Sequence, residues 1–258
     1  LNLIEAQYLL KNTRDQKNAK SVMILVNGIE LAGKGEAVKQ LREWVDPRYL
    51  GVKADIPKIF NPQQPFWQAY ANAIPATGQM MVMFGNWYSD LLVTAMHVSK
   101  PLDETEYDRY VEDMRAFEQD LKNNHVDVIK VWFDLSWKSL QKRLDNLDPS
   151  EVHWHKLHGL DWRSKKQYDN LQKLRQRFTD DWQIINCEDE QQRDQQFAQL
   201  ILTALKDCPE HLSKTRTKWK QAAIPESLLQ PEQTPLTHED YKKELKKLSR
   251  KVAKALRC

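Results

Sequence analysis

Residues 21–44 read SVMILVNGIELAGKGEAVKQLREW. Val22 to Val26 is an unbroken apolar run without alternation, the pattern of a short strand covered on both faces, as in the middle of a parallel sheet. It is followed by Gly28-Ile29-Glu30-Leu31-Ala32-Gly33-Lys34-Gly35, a glycine and four residues before Gly-Lys. Good helix formers then run from Glu36 to Trp44, with Val38, Leu41 and Val45 at helical spacing. Strand, glycine loop and helix in this order form the context that a phosphate-binding loop requires.

The residue types have a physical reason. Gly28 and Gly33 permit backbone angles that a side chain forbids, so successive N–H groups can converge on a phosphate oxygen. The following helix aims its N-terminal partial charge at the same point, and Lys34 adds a mobile full charge. The usual loop ends in Ser or Thr, whose hydroxyl holds Mg²⁺; here the place is Gly35. Glu30, inside the loop, is the acid available to hold the metal or orient a nucleophile. A glycine-bearing turn on a purely structural unit is the competing reading.

Outward from this stretch, Leu1 to Lys20 reads as a lead-in helix, and Asp46-Pro47-Arg48 stops the helix after the loop. Further strands are expected at Tyr49 to Ala54, Gln79 to Phe84, Val126 to Leu135 and Trp182 to Asn186. Helices are expected at Phe66 to Ile74, Leu91 to Val98, Thr105 to Asn123, Ser136 to Leu147, Ser164 to Thr179 and Gln192 to Leu205. Asp55 to Pro65 reads as a loop over the strand ends, and His153 to Trp162 as a flap. Strands alternating with helices argue for an α/β fold, three layers around a central parallel sheet of about five strands. Ligand then lies outside the carboxyl ends of the strands, where Gly28–Gly35 and Gly85–Asp90 would both fall. The module is expected over residues 1–207. A proline-containing arm is expected over 208–237, with Pro209, Pro225, Pro231 and Pro235, and an amphipathic helix over 238–258.

The chain has 258 residues, 29% charged, with a formal net charge of +3. That near-balance does not mark a nucleic-acid protein. Three cysteines without metal-ligand spacing suggest a reducing compartment. No apolar run has the length of a membrane span and no signal peptide opens the chain, so a cytoplasmic location is expected. A start at Leu1 and a stop at Cys258 within a helical pattern suggest a piece of a longer protein.

These motifs resemble those of a type-2 polyphosphate kinase module, and most closely the N-terminal module of the tandem polyphosphate:AMP phosphotransferases. The matching pieces are the loop Gly28 to Gly35, Asp46-Pro47-Arg48, the Phe84 to Asp90 segment with Trp87-Tyr88, and Asp148-Pro149 with Trp154. The resemblance runs from about Leu10 to Leu205. It implies a P-loop kinase-like fold with a helical lid, transfer of a phosphoryl group between polyphosphate and an adenine nucleotide, and Mg²⁺ as cofactor. It also implies a homo-oligomer, and a second module that begins in the last helix. Lys34 matches the loop lysine that contacts phosphate, and Glu30 stands where the family places an aspartate. The family's Asp-Arg-Ser before Trp-Tyr aligns with Phe84, Gly85 and Asn86. A lid arginine aligns with Leu147, and Gln-Arg-Tyr near the acceptor aligns with Gln68-Ala69-Tyr70.

The resemblance thus implies catalysis through Lys34 and Glu30, and phosphate binding through Gly28, Gly33, Lys34 and Gly35. Glu30 with Asp90, the nearest remaining acid, would hold the metal; Asp90 could instead cap the helix expected from Leu91. Apart from the resemblance, Lys156 in the expected flap reads equally as a contact to a polyanion and as an ordinary solvated lysine. Phosphoryl transfer relies on metal, positioning and cationic stabilisation of spreading charge, and removing one arginine from the transferring group can cost about three to five orders of magnitude in rate. The substitutions at Phe84, Gly85, Leu147 and Ala69 therefore predict a module with weak or no activity. The alternative is a non-catalytic scaffold, an oligomerisation partner or a polyphosphate-holding module. An ordinary ATP-dependent small-molecule kinase is the third reading, disfavoured by Gly35. Trp87 and Tyr88 are expected to pack rather than stack on a base. The lysines of the last helix are expected to be a solvated face, and His153, His155 and His158 a surface flap.

Overall fold

A computed structural model of the chain describes residues 2–14, 19–61, 63–97, 101–147 and 161–206, together with 237, 239, 240 and 242. The chain divides into two compact units, Leu1–Leu212 and Ser213–Cys258. In the first, five strands run β1 (Ser21–Gly28), β2 (Leu50–Ala54), β3 (Met80–Phe84), β4 (Val126–Asp134) and β5 (Gln183–Asn186). Seven α-helices are described: α1 (Leu3–Asn12), α2 (Lys34–Trp44), α3 (Trp87–Ala95), α4 (Glu104–Asn123), α5 (Trp137–Asp145), α6 (Lys165–Gln176) and α7 (Glu190–Lys206). All strand pairs are parallel, in the order β2-β3-β1-β4-β5.

The central position of β1 explains its composition. It pairs with β3 on one side and β4 on the other, and Val22 to Val26 are covered by helices on both faces. One layer carries α2 and α7 with α1 against α7; the other carries α3 with α4 and α6. The connection leaving β1 travels toward β2, and the one leaving β4 toward β5. Ligand crevices form outside the carboxyl ends of such diverging neighbours. Gly28 ends β1 opposite Phe133 of β4, so the glycine loop opens at that crevice.

Two expected helices differ. Phe66 to Ile74 is two short 3₁₀ turns, Phe66–Ala69 and Ala71–Ala73, because Pro65 and Pro75 confine the segment and few residues remain between them. The helix expected from Leu91 begins at Trp87, since Asn86 caps it by accepting from the amides of Tyr88 and Ser89. Asp90 is therefore not its cap. Trp87 and Tyr88 are both fully buried, as packing requires. The Trp87 indole donates to Glu118 at 3.0 Å, and Glu118 also holds Lys130 at 2.6 Å.

The expected flap over 153–162, with Lys156, His153, His155, His158, Trp154 and the Asp148-Pro149 step, falls almost wholly outside the described residues, as does the expected arm. Of the expected final helix, 239, 240 and 242 are helical and the Thr237 hydroxyl accepts from the Asp240 amide at 3.2 Å. No helix among the described residues is long and apolar enough to cross a membrane.

Candidate functional site

The loop after β1 is built as its glycines demand. Gly28 has φ +148°, and a side-chain carbon there would lie 2.3 Å from the Phe133 carbonyl oxygen. Gly33 has φ +84° and is the N-cap of α2, which has no side-chain cap. The other described helices are capped by side chains: Asn2, Asn86, Asp103, Ser136 and Ser164, and on α7 Asp189, which accepts from the amide of Gln192. Uncapped helix amides behind a glycine loop are a geometry that favours an anion, through free N–H groups and the helix dipole. Gly35 is exposed, and a carbon added there meets nothing within 4 Å.

Lys34 folds back over the loop. Its Nζ donates to the carbonyls of Ile29 at 2.8 Å and Gly28 at 3.2 Å, and lies 3.8 Å from a Glu30 carboxylate oxygen. The structure therefore brings together Gly28, Glu30, Gly33, Lys34 and Gly35. Glu30 is the carboxylate at the loop's mouth, and its oxygens suit a hard cation that takes its remaining ligands from phosphate. Among the described residues no group of three or more metal-binding side chains gathers.

Asp90 sits in a different setting. It is buried in the first turn of α3, where one carboxylate oxygen accepts from the Lys58 amide at 2.8 Å and the other from the Tyr70 hydroxyl. Burial raises its pKa, and the bond from Tyr70 only partly offsets this. Thr94 and the Phe60 amide pair at 3.0 Å, and the Asp55 amide donates to the Phe84 carbonyl at 3.0 Å. Residues 55–60 thus form a strap laid across the carboxyl end of β3. Gly85, with φ +66°, lies under that strap, and a side-chain carbon there would be 1.9 Å from the Asp55 carbonyl oxygen. Beside it, Asn86 and Asn27 exchange two amide hydrogen bonds at 3.1 Å each, and Ser89 donates to Asn27 at 2.6 Å. Both amides are buried and satisfied.

Two arginines at the loop escaped sequence reading. Arg143 of α5 donates to the Leu31 and Cys187 carbonyls, both at 2.7 Å. Arg193 of α7 lies 2% exposed with its guanidinium against Gly33 and its Nε on Asp194 at 2.8 Å. Neither belongs to a local motif: one sits in the last turn of a charged helix, the other in the first turns of a polar one. Cys187, between them, is buried, and that burial pushes its thiol up to about 12.

The sequence pattern of polyphosphate kinase 2 (PPK2) matches residues 2–212. The chain belongs to that family. It is 72% identical over all 258 residues to the polyphosphate:AMP phosphotransferase of Acinetobacter johnsonii, 54% of which it covers. With the polyphosphate:AMP phosphotransferase of Pseudomonas aeruginosa it shares 34% over 235 residues, 86% of this chain and 45% of the relative. The chain spans about half the length of these curated relatives. Among solved structures, a polyphosphate kinase 2 from Pseudomonas aeruginosa PA01 is similar at TM-score 0.63 and 27% identity, over 94% of this chain and 47% of that one. One from Arthrobacter aurescens TC1 has the same fold at TM-score 0.65 and 21% identity, over 83% and 79%.

Proposed function

We propose that the whole protein transfers a phosphoryl group from polyphosphate to AMP or a related nucleotide, and that this module holds polyphosphate while contributing weak or no transfer of its own. In the reaction an acceptor phosphate oxygen bonds to the terminal phosphorus as the P–O bond to the rest of the chain breaks, leaving polyphosphate one unit shorter. The names of the relatives support the reaction class. The loop supports binding: uncapped α2 amides, two glycines at positive φ and a lysine whose ammonium rests on loop carbonyls that an incoming phosphate outbids. Glu30 would hold Mg²⁺ together with phosphate oxygens, and the ion supplies charge neutralisation when bound.

The observation that carries the weak-transfer reading is Gly85 under the Asp55 carbonyl. Neither Phe84 nor Gly85 offers a charge to the transferring group, and the backbone has closed around the glycine. A homo-oligomer and a second module remain part of the proposal, the latter supported by the share of the relatives left uncovered.

The test is ADP or ATP formation by this chain given AMP or ADP, long-chain polyphosphate and Mg²⁺, beside Lys34→Ala. Expected is little or no turnover, with polyphosphate binding that Lys34→Ala weakens at least tenfold. Robust turnover abolished by Lys34→Ala would overturn the weak-transfer reading. Absence of binding would reduce the loop to structure.

A further inference from the structure

Leu31 is the residue of the loop whose backbone is out of keeping with its side chain. Its φ is +57°, in the left-handed region that glycine visits freely and leucine does not. The side chain packs against the core, so a glycine there would forfeit contact. What holds Leu31 in place is its carbonyl, which accepts from Nη1 of Arg143 at 2.7 Å. The other prong of the same guanidinium, Nη2, is fixed on the Cys187 carbonyl at 2.7 Å. That carbonyl belongs to the turn between β5 and α7, and the Cys187 amide is itself bonded to the Asp134 carbonyl at 2.9 Å. One prong therefore rests on backbone tied to the sheet, and the other grips the loop. Such a planar two-pronged grip is particular to arginine.

The consequence follows from peptide planarity. A carbonyl drawn out toward Arg143 turns the N–H of the same peptide the opposite way. That N–H belongs to Ala32 and donates to the Ile29 carbonyl at 3.3 Å, closing the turn from Ile29 to Ala32. The shape of the loop between its two glycines rests on that turn. We propose that Arg143 is the positioning residue of the Gly28–Gly35 loop: its grip on the Leu31 carbonyl keeps Leu31 left-handed and the Ile29–Ala32 turn closed before any phosphate arrives. Arg143 touches no phosphate in this role. It also makes the loop's shape depend on the placement of α5, whose last residue is Asp145. The inference deepens the phosphate-binding reading and rests on it for its purpose, though not for its geometry.

The experiment compares the 258-residue chain with Arg143→Gln, Arg143→Lys, Leu31→Gly and Arg143→Gln/Leu31→Gly. Amide hydrogen exchange over 28–35 is followed without ligand, and sodium tripolyphosphate affinity by calorimetry. Arg143→Gln should speed loop exchange tenfold or more, with α4 unchanged, and weaken tripolyphosphate about tenfold. Leu31→Gly should restore at least half of that loss on a logarithmic scale, because glycine holds a positive φ unaided. Arg143→Lys, which reaches one carbonyl but not two, should fall between, and it decides the matter if the glutamine variant does not fold. Loop exchange at the wild-type rate in both Arg143 variants would overturn the proposal. A loss of affinity that Leu31→Gly leaves untouched would overturn it too, and make Arg143 a direct charge on the ligand. If the wild-type chain ignores tripolyphosphate while loop exchange still responds to Arg143→Gln, the positioning role stands and the binding function falls.

Discussion

Two neighbouring corners of this molecule have the same topology and opposite fates. β1 and β3 lie side by side, and each turns through a glycine at positive φ into a helix on the carboxyl side of the sheet. At the β1 corner the helix starts on Gly33, without a side-chain cap, and Gly35 stands in open space. At the β3 corner the helix starts on Asn86, whose amide caps α3 and interlocks with Asn27, while the 55–60 strap closes over Gly85. One corner starts its helix without a side-chain cap; the other caps its helix and pairs its buried side-chain amides with each other. Buried polar groups must find partners, and at the β3 corner, where Phe84, Gly85 and Asn86 carry no charge, the protein's own amides supply them.

The largest effect that tests this contrast is an attempt to reopen the β3 corner. Phe84→Asp/Gly85→Arg should cost about 2–4 kcal/mol, because the new carbon strikes the Asp55 carbonyl and sits at a strained φ. Turnover should not appear. A stable double variant with restored turnover would break the comparison, and chemical denaturation with a product assay decides it.

Next is Asn86→Ala, which removes a helix cap and leaves the buried Asn27 amide without its partner; a loss of about 2–3 kcal/mol is expected. Phosphate affinity should hold if the corners are independent, and a parallel drop in calorimetry would show them coupled.

A smaller and opposite effect is expected at Gly35→Ala. The site is helical and unobstructed, so stability should rise by about 0.5–1 kcal/mol. Polyphosphate should bind more weakly, since the methyl enters the space where its oxygens approach. Gain in stability with unchanged affinity would remove the loop's mouth from the binding surface.

The smallest is a pH effect. Burial holds the folded pKa of Asp90 above its unfolded value, so the folded state binds the extra proton. The sign is that Asp90's contribution is most favourable below the ordinary carboxylate range and is lost as pH rises through the folded pKa. Asp90→Asn should flatten that decline in thermal melts, and an unchanged slope would mean that Asp90 ionises without penalty.

Much of this was legible in the chain itself. The run from Val22 to Val26 and the glycines after it specify a central parallel strand feeding a glycine turn into a helix, since apolar continuity and positive-φ positions are local properties. The five strands lie where the pattern places them. The start of α3 at Trp87 is not legible locally, because Asn86 looks like turn residue and cap alike and the aromatic pair after it hides the helical period. Arg143 and Arg193 left no signal at all, being ordinary charges on polar helices.

The sequence alone therefore determined the β-loop-α unit, the family resemblance and the absence of charge at Phe84 and Gly85, because each is written in adjacent residues. Only the tertiary structure decided that the Gly85 vacancy is sealed by Asp55, that Asn27 meets Asn86, and that Arg143 reaches Leu31. Those contacts join positions 30, 59 and 112 residues apart. Their geometry depends on the packing of whole elements, which no local window contains.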